Sequence, residues 1–336
     1  MGKYSHDSRV DVFFNSRRAK KLVDIVFTMA KGRTEKKGPF QRENLYPDAV
    51  VPESLEQGSK EHSLYLFYSC LLDSMTQANT LYKAMRKLAE DLNGDLSDLS
   101  KLGESELESL LQRSGFTNTR LGNPVGAVQS NSRRLERLYK GDPRNIYPRY
   151  KTARRVSDRE IDDVFQKLGD FKQMRYMGIG VGKAALFVKN LVRFGIWPFP
   201  EHRIPVKADR HLIRIAISNC LDFYMGGTKV HPEHHSEITG LNSDRLVPIV
   251  TKGFLDLTKR HQISAVELDD FLWALGSYLC SQNKIPVCQN NCEVDCDYRP
   301  KSDRTGTVFY PGNDSRVYFK RQQFQESPGQ MRLFNS

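Results

Sequence analysis

No stretch of this chain approaches the ~18–20 consecutive apolar residues that a membrane span requires. The most apolar run, Leu64 to Leu72, is too short and contains Ser69 and Cys70. The opening Met1-Gly2-Lys3-Tyr4-Ser5-His6-Asp7 lacks the apolar core of a signal peptide. Gly2 with Ser5 does not set a hydroxyl where a myristoylation signal needs one. An intracellular protein is therefore expected, cytoplasmic and nucleoid-associated, or nuclear in a eukaryote, with no membrane partner. Internal repeats are absent. Sustained period-two alternation is scarce before residue 300, so the fold is expected to be mainly helical. Cysteine is scarce too. There are six, and four crowd between Cys280 and Cys296. In a reducing compartment such a cluster suggests metal before disulfides. Acidic residues are in deficit, 40 against 51 Lys and Arg, for a formal charge of +11. That balance favours a polyanionic partner, because neutralising phosphates releases condensed counterions. A basic protein without such a partner fits the same count.

What is present reads as a series of helices. Val10, Val12, Phe13, Phe14, Leu22, Val23, Ile25, Val26 and Phe27 recur near helical spacing over residues 1–35. A proline-marked connection over 34–60 follows. An apolar segment then runs from His62 to Leu72, and an amphipathic helix carries Leu81, Tyr82, Ala84, Met85, Leu88 and Ala89. Two further helices are expected at Glu104 to Leu111 and at Pro124 to Tyr139. The second carries Arg133, Arg134, Arg137 and Lys140, and a loop with Arg144, Arg149, Lys151, Arg154 and Arg155 continues the basic stretch. This stretch can track a phosphate backbone, or it can be an ordinary solvated surface. Ser157-Asp158-Arg159-Glu160 opens the next helix as a capping box. Thr307 to Tyr310 and Arg316 to Lys320 flank a turn and suggest a short C-terminal β-hairpin. Cys70 and Cys220 fall inside apolar patterns and read as core thiols. The loop Val230-His231-Pro232-Glu233-His234-His235 is a weaker metal candidate.

The stretch from Tyr176 to Ile215 carries the chemistry. Gly178, Gly180 and Gly182 are spaced by two. A dinucleotide loop needs a preceding buried strand and a different third glycine, and neither is present. A Walker loop needs a glycine five residues before Gly182, where Met177 stands, and a Ser or Thr after Lys183, where Ala184 stands. A tight turn between helices remains. Its free N–H groups, from Val181 onward, can hold a phosphate without reading sequence. Asp209 heads the next helix, as an N-cap or as a catalytic carboxylate, and the two roles are compatible.

Met177 to Phe187 resembles the hairpin of the helix-hairpin-helix DNA glycosylases, the endonuclease III superfamily. Pro205-Val206-Lys207-Ala208-Asp209-Arg210-His211-Leu212-Ile213-Arg214-Ile215 resembles the segment holding that family's catalytic aspartate, which maps to Asp209. His211 and Arg214 match residues flanking it. Leu71 to Leu88 resembles the early helix–loop–helix, which places Met75 at the family's duplex-probing Gln and Gln77 beside it. The family's Schiff-base lysine is not matched. Aligning the turn on Gly178-Ile179-Gly180 puts Gly182 at that position, and Lys183 lies one residue away. Lys183 is thus a catalytic candidate out of register, or a phosphate contact at the helix start.

Cys280, Cys288, Cys292 and Cys296 follow an apolar helix, with gaps of seven, three and three residues. Zinc and an iron–sulfur cluster compete for such a set. Zinc ribbons prefer two tight pairs, which this run lacks. The resemblance favours a 4Fe–4S cluster, with zinc as the alternative, although every gap differs from that of endonuclease III.

The resemblance covers roughly residues 61–297. It implies an all-α fold of two helical domains with a cleft between them. Residues 58–200 would carry the hairpin in a helical barrel. Residues 1–57 with 201–300 would form the cluster domain, and 301–336 a tail. The implied activity is DNA N-glycosylase action, with base flipping and Asp209-assisted hydrolysis, monofunctional because the lysine position is vacant. The alternatives are a bifunctional glycosylase/AP lyase and a non-catalytic helix-hairpin-helix DNA-binding protein. The expected partner is double-stranded DNA, bound by a monomer. The insertions at 196–204 and 222–245 suggest a pocket for a bulky or hypermodified base, in DNA repair or in defence against modified foreign DNA.

Overall fold

Eleven consecutive residues from His62 to Leu72 are buried, so the helix that holds them has no solvent face. A helix apolar all round belongs at the centre of its unit, and the others are arranged about it. The computed structural model describes residues 10–33, 51–73, 78–116, 123–169, 179–230, 243–279, 294, 305–311 and 317–323. These residues are predominantly helical. None of the helices searched is long and apolar enough to cross a membrane. The chain divides into two compact units, Tyr46–Lys207 and Met1–Leu45 with Ala208–Ser336.

The elements in chain order are β1 (Asp11–Phe14), α1 (Ser16–Arg33), α2 (Lys60–Leu72), α3 (Ala78–Asp91), α4 (Glu104–Ser114) and α5 (Pro124–Tyr139). Then come α6 (Asp158–Gly169), α7 (Val181–Arg193), α8 (Arg210–Asn219), β2 (Leu221–Met225) and β3 (Thr228–Val230). The last are α9 (Ser243–His261), α10 (Ala265–Ala274), β4 (Thr305–Pro311) and β5 (Val317–Gln323).

In the unit Tyr46–Lys207, Ser59 starts α2 by accepting the His62 N–H at 3.0 Å. The Tyr68 hydroxyl meets Ser132 Oγ of α5 at 2.7 Å inside the core. The capping box at the head of α6 forms as its spacing predicts. Glu160 accepts the Ser157 N–H at 2.8 Å, and Ser157 Oγ accepts the Glu160 N–H at 3.3 Å. Edge-to-face rings run from Phe67 to Phe187 and on to Trp197, each step 5.7 Å between centroids. Tyr147 closes on Phe199 at 4.8 Å. Trp197 and Phe199 belong to the segment expected to line a base pocket. Both are buried here, and Trp197 Nε1 donates to Arg144 O at 3.2 Å. Arg203 completes the anchoring by donating to Val156 O at 2.6 Å. Of residues 196–204, Ile196, Trp197, Phe199 and Ile204 are buried in the core of this unit, where their apolar surface is removed from water.

His62 is the buried titratable group of this core. Its Nδ1 accepts the Gly58 N–H at 3.0 Å and its ring stands edge-on to Phe194 at 4.5 Å. Burial lowers its pKa from 6.5 to about 4. Between these values the unfolded chain takes up a proton that the folded chain refuses, so acidification destabilises the fold. From pH 7 to pH 5 the stability advantage of wild type over His62→Phe should narrow by about 2 kcal/mol, read from urea melts at both pH values. An unchanged difference would show that His62 titrates normally.

In the second unit the all-α expectation is corrected. Asp11–Phe14 is a strand, and β1, β2 and β3 form an antiparallel sheet in that order. The register pairs Asp11 with Tyr224, Phe14 with Leu221, and Phe223 with Val230. Helical spacing fails at residues 10–14 because the run is too short to show a period, and its hydrogen-bonding partner lies some two hundred residues away. Residues 222–230 of the second insertion therefore fall in β2 and β3, joined through Gly226 and Gly227, both with positive φ as a tight hairpin turn needs. Asp222 is the polar anchor. Asn15 Nδ2 reaches it at 2.8 Å, Lys229 at 2.7 Å and Arg18 at 3.3 Å. Burial opposes the Asp222 charge, but these donors outweigh it and hold the carboxyl below its ordinary range. β4 and β5 pair antiparallel, Thr305 with Gln323 and Pro311 with Val317, the hairpin expected from the alternation there.

Candidate functional site

Asp209 ends the extended approach Pro205 to Ala208 and becomes the N-cap of α8. Its backbone is extended, as an N-cap requires. Its Oδ1 accepts two orphan N–H groups, from His211 at 2.8 Å and Leu212 at 3.1 Å. Both bonds fall on one oxygen. Oδ2 has no hydrogen-bond partner among the described residues, and the side chain is half-exposed. The carboxylate is therefore fixed by one oxygen and open at the other.

The first turn of α8 is fixed from behind. Arg214 is buried, and its Nη2 donates to Gly276 O at 2.5 Å and lies 3.3 Å from His211 Nδ1. Gly276 belongs to a π-helical turn, Leu275–Leu279, which follows α10. A Cβ on Gly276 would stand 2.6 Å from His211 Cβ and 3.4 Å from its Cα. Only glycine fits there, and the fit presses the turn against the head of α8. Cys280 is four residues further on.

Lys183 belongs to the other unit, in the first turn of α7. Its Nζ donates to Leu71 O at 2.8 Å, at the carbonyl end of α2. Burial lowers its pKa, while neighbouring Asp73 and Cys70 work in the opposite direction. This is not the solvent-facing amine of a simple phosphate contact. Asp73 also pairs with Lys207 at 2.9 Å. Sequence reasoning missed this pairing, since the two residues stand 134 positions apart and each alone is an ordinary charged residue.

Gly180 is the N-cap of α7 with extended backbone, and no side chain caps that end. Gly182 follows in the first turn. A Cβ on either would meet nothing within 4 Å, and neither has a positive φ. Neither backbone strain nor packing demands glycine at these positions. Gly178, Met75 and Gln77 lie outside the described residues, as do Cys280, Cys288, Cys292, Cys296 and the His231 to His235 loop. Val294, between Cys292 and Cys296, is described and buried. Cys70 and Cys220 are buried free thiols, as their apolar surroundings predict. Among the described residues no three His, Cys, Asp or Glu side chains gather as a metal group. No family model matches the chain, and the search of curated proteins finds no match.

Proposed function

We propose that this protein is a DNA N-glycosylase that releases a damaged or modified base by hydrolysis. The observation that carries the reading is Asp209, held through Oδ1 by two backbone N–H groups with Oδ2 unengaged. Cleavage of an N-glycosidic bond develops positive charge on the sugar. A fixed carboxylate stabilises that charge and can orient or deprotonate the water that attacks the anomeric carbon as the base departs. The target nucleotide must first be flipped from the stack, at a cost of a few kcal/mol. Met75 and Gln77 are the residues that the resemblance offers to fill the gap.

The α7 N-terminus supports the duplex contact. Gly180 and Gly182 lack side chains where neither strain nor packing requires it. Glycine suits the N-cap itself and also permits close approach of another backbone, and uncapped N–H groups suit a phosphate. The finer architecture, a hairpin-bearing helical barrel and a cluster domain, belongs to the same proposal. So do the monomeric state and the roles in repair or in defence against modified DNA.

The cysteine run suits a 4Fe–4S cluster by the chemistry of its donors. Cys70 and Cys220 are buried elsewhere as thiols, which leaves four thiolates of the run as a complete ligand set. Base hydrolysis needs no redox change, so the cluster would supply a structural clamp. Anaerobically purified protein is expected to be brown, with about four iron atoms per chain. A colourless protein carrying zinc would replace the cluster with the zinc alternative.

Abasic-site formation on a panel of damaged and modified duplexes tests the activity itself, and mass spectrometry of released bases identifies the substrate. A duplex-binding protein that releases nothing across that panel would be the non-catalytic alternative. The bifunctional alternative would need Lys183 as its nucleophile; burial lowers the pKa of that amine, and it is held on Leu71 O at 2.8 Å. Hydrolysis by water predicts no borohydride-trapped protein–DNA adduct. An adduct that disappears in Lys183→Ala would shift the assignment to the bifunctional enzyme.

A further inference from the structure

Between Arg133 and Glu160 the chain carries ten Lys and Arg against four Asp and Glu. The fold treats eight of these cations in two ways. Arg144 is half-buried, paired with Asp142 at 2.7 Å and donating to Gly58 O at 2.8 Å. Arg149 is bound to Glu160 at 2.7 Å. Both are fastened to the fold. A second group is exposed: Arg133 and Arg137 on α5, Lys140 at its C-cap, and Lys151, Arg154 and Arg155 in the turns that follow. None of these six forms an ion pair among the described residues. A spacing of four puts Arg133 and Arg137 on one helical face, and Lys140 follows as the left-handed C-cap. The opposite face of α5, with Val128, Ser132 and Leu135, is buried.

We propose that these six cations form a second duplex-contacting surface, separate from the glycine turn, that grips backbone phosphates without reading sequence. The inference rests on the reading of duplex DNA as the partner. The aromatic residues of the segment point to phosphate rather than base contacts. Tyr147 is buried, and Tyr150 is covered by Arg144 at 5.6 Å and Lys151 at 5.5 Å from its ring centroid. Single-strand binders stack bases on exposed rings, and none of the segment's three tyrosines, Tyr139, Tyr147 and Tyr150, is fully exposed. A membrane surface is less suited, because a membrane-bound basic helix presents an apolar face. Here Leu138 is the one large apolar side chain of the segment that is exposed.

Two triple variants of the full chain test this surface: Arg133→Gln/Arg137→Gln/Lys140→Gln and Lys151→Gln/Arg154→Gln/Arg155→Gln. Equal melting temperatures check that the fold is retained. Binding to fluorescent duplexes of several sequences is measured across a salt series. Each variant is expected to bind all sequences more weakly, and its log–log salt slope should flatten by roughly 0.9 for each phosphate contact removed. Wild-type slope and affinity in both variants would overturn the proposal. So would an effect confined to phosphatidylserine vesicles with duplex binding unchanged. Base release by the wild-type chain is scored separately. If wild type releases base while both variants bind DNA normally, this surface falls and the glycosylase reading stands. If wild type releases nothing while the variants lose salt slope, the surface stands and the glycosylase reading falls.

Discussion

Under the proposed function, Asp209→Asn is expected to bind duplex DNA and to melt as wild type does, yet to release base roughly 10²- to 10⁴-fold more slowly. The choice of asparagine separates two roles of one side chain. Asp209 Oδ1 caps α8 by accepting from His211 and Leu212. Asparagine presents a carbonyl oxygen in the same place and is among the best N-caps. The amide is neutral, so it cannot stabilise positive charge on the sugar or take a proton from water. Asp209→Ala provides the complementary comparison. It removes both functions and should additionally lower stability by about 1 kcal/mol. Single-turnover release and thermal melting of the three proteins give the result. Full release by Asp209→Asn would leave Asp209 as a cap and nothing more.

Gly276→Ala should destabilise the protein by roughly 1–3 kcal/mol through overpacking. At this chain size that corresponds to a fall in Tm of about 1–4 °C. The new Cβ would meet His211 Cβ at 2.6 Å and Cα at 3.4 Å. Neither atom is the far end of a flexible side chain, so the turn or the head of α8 must move. Such a shift also strains the Arg214 bond to Gly276 O. Under the proposed function it displaces the carboxylate carried by that helix, and base release should fall with stability. A double-mutant cycle with His211→Gly identifies the cause, because removing the 211 Cβ relieves the contact. The two substitutions should then cost less together than the sum of their separate costs. Strict additivity would place the strain elsewhere.

Most of the helices were legible in the sequence because their determinants are local; α9 was not among them. A helix is set by a period of 3.6 residues and by caps that act across three positions. Ser157 and Glu160 therefore announce α6, and the apolar run of His62 to Leu72 announces a central helix. The position of Asp209 at the head of α8 was readable for the same reason, as was the uncapped glycine start of α7 at Val181. The strands β1 and β2 were not. Each is too short to show a period, and hydrogen bonding to the other is what stabilises both.

What the sequence by itself determined is the predominantly helical character, the starts of α6, α7 and α8, the excess of positive charge and the identity of the capping carboxylate. Tertiary structure alone decided that Trp197 and Phe199 fill a core rather than line a pocket. It alone turned Lys183 to the carbonyl end of α2, joined Lys207 to Asp73, and set Gly276 against His211. It also separated the fastened cations Arg144 and Arg149 from the exposed ones beside them. The physical reason is one of range. Helix period and capping act within about four residues of chain, whereas burial, ion pairing and steric contact depend on which distant residues the completed fold brings together.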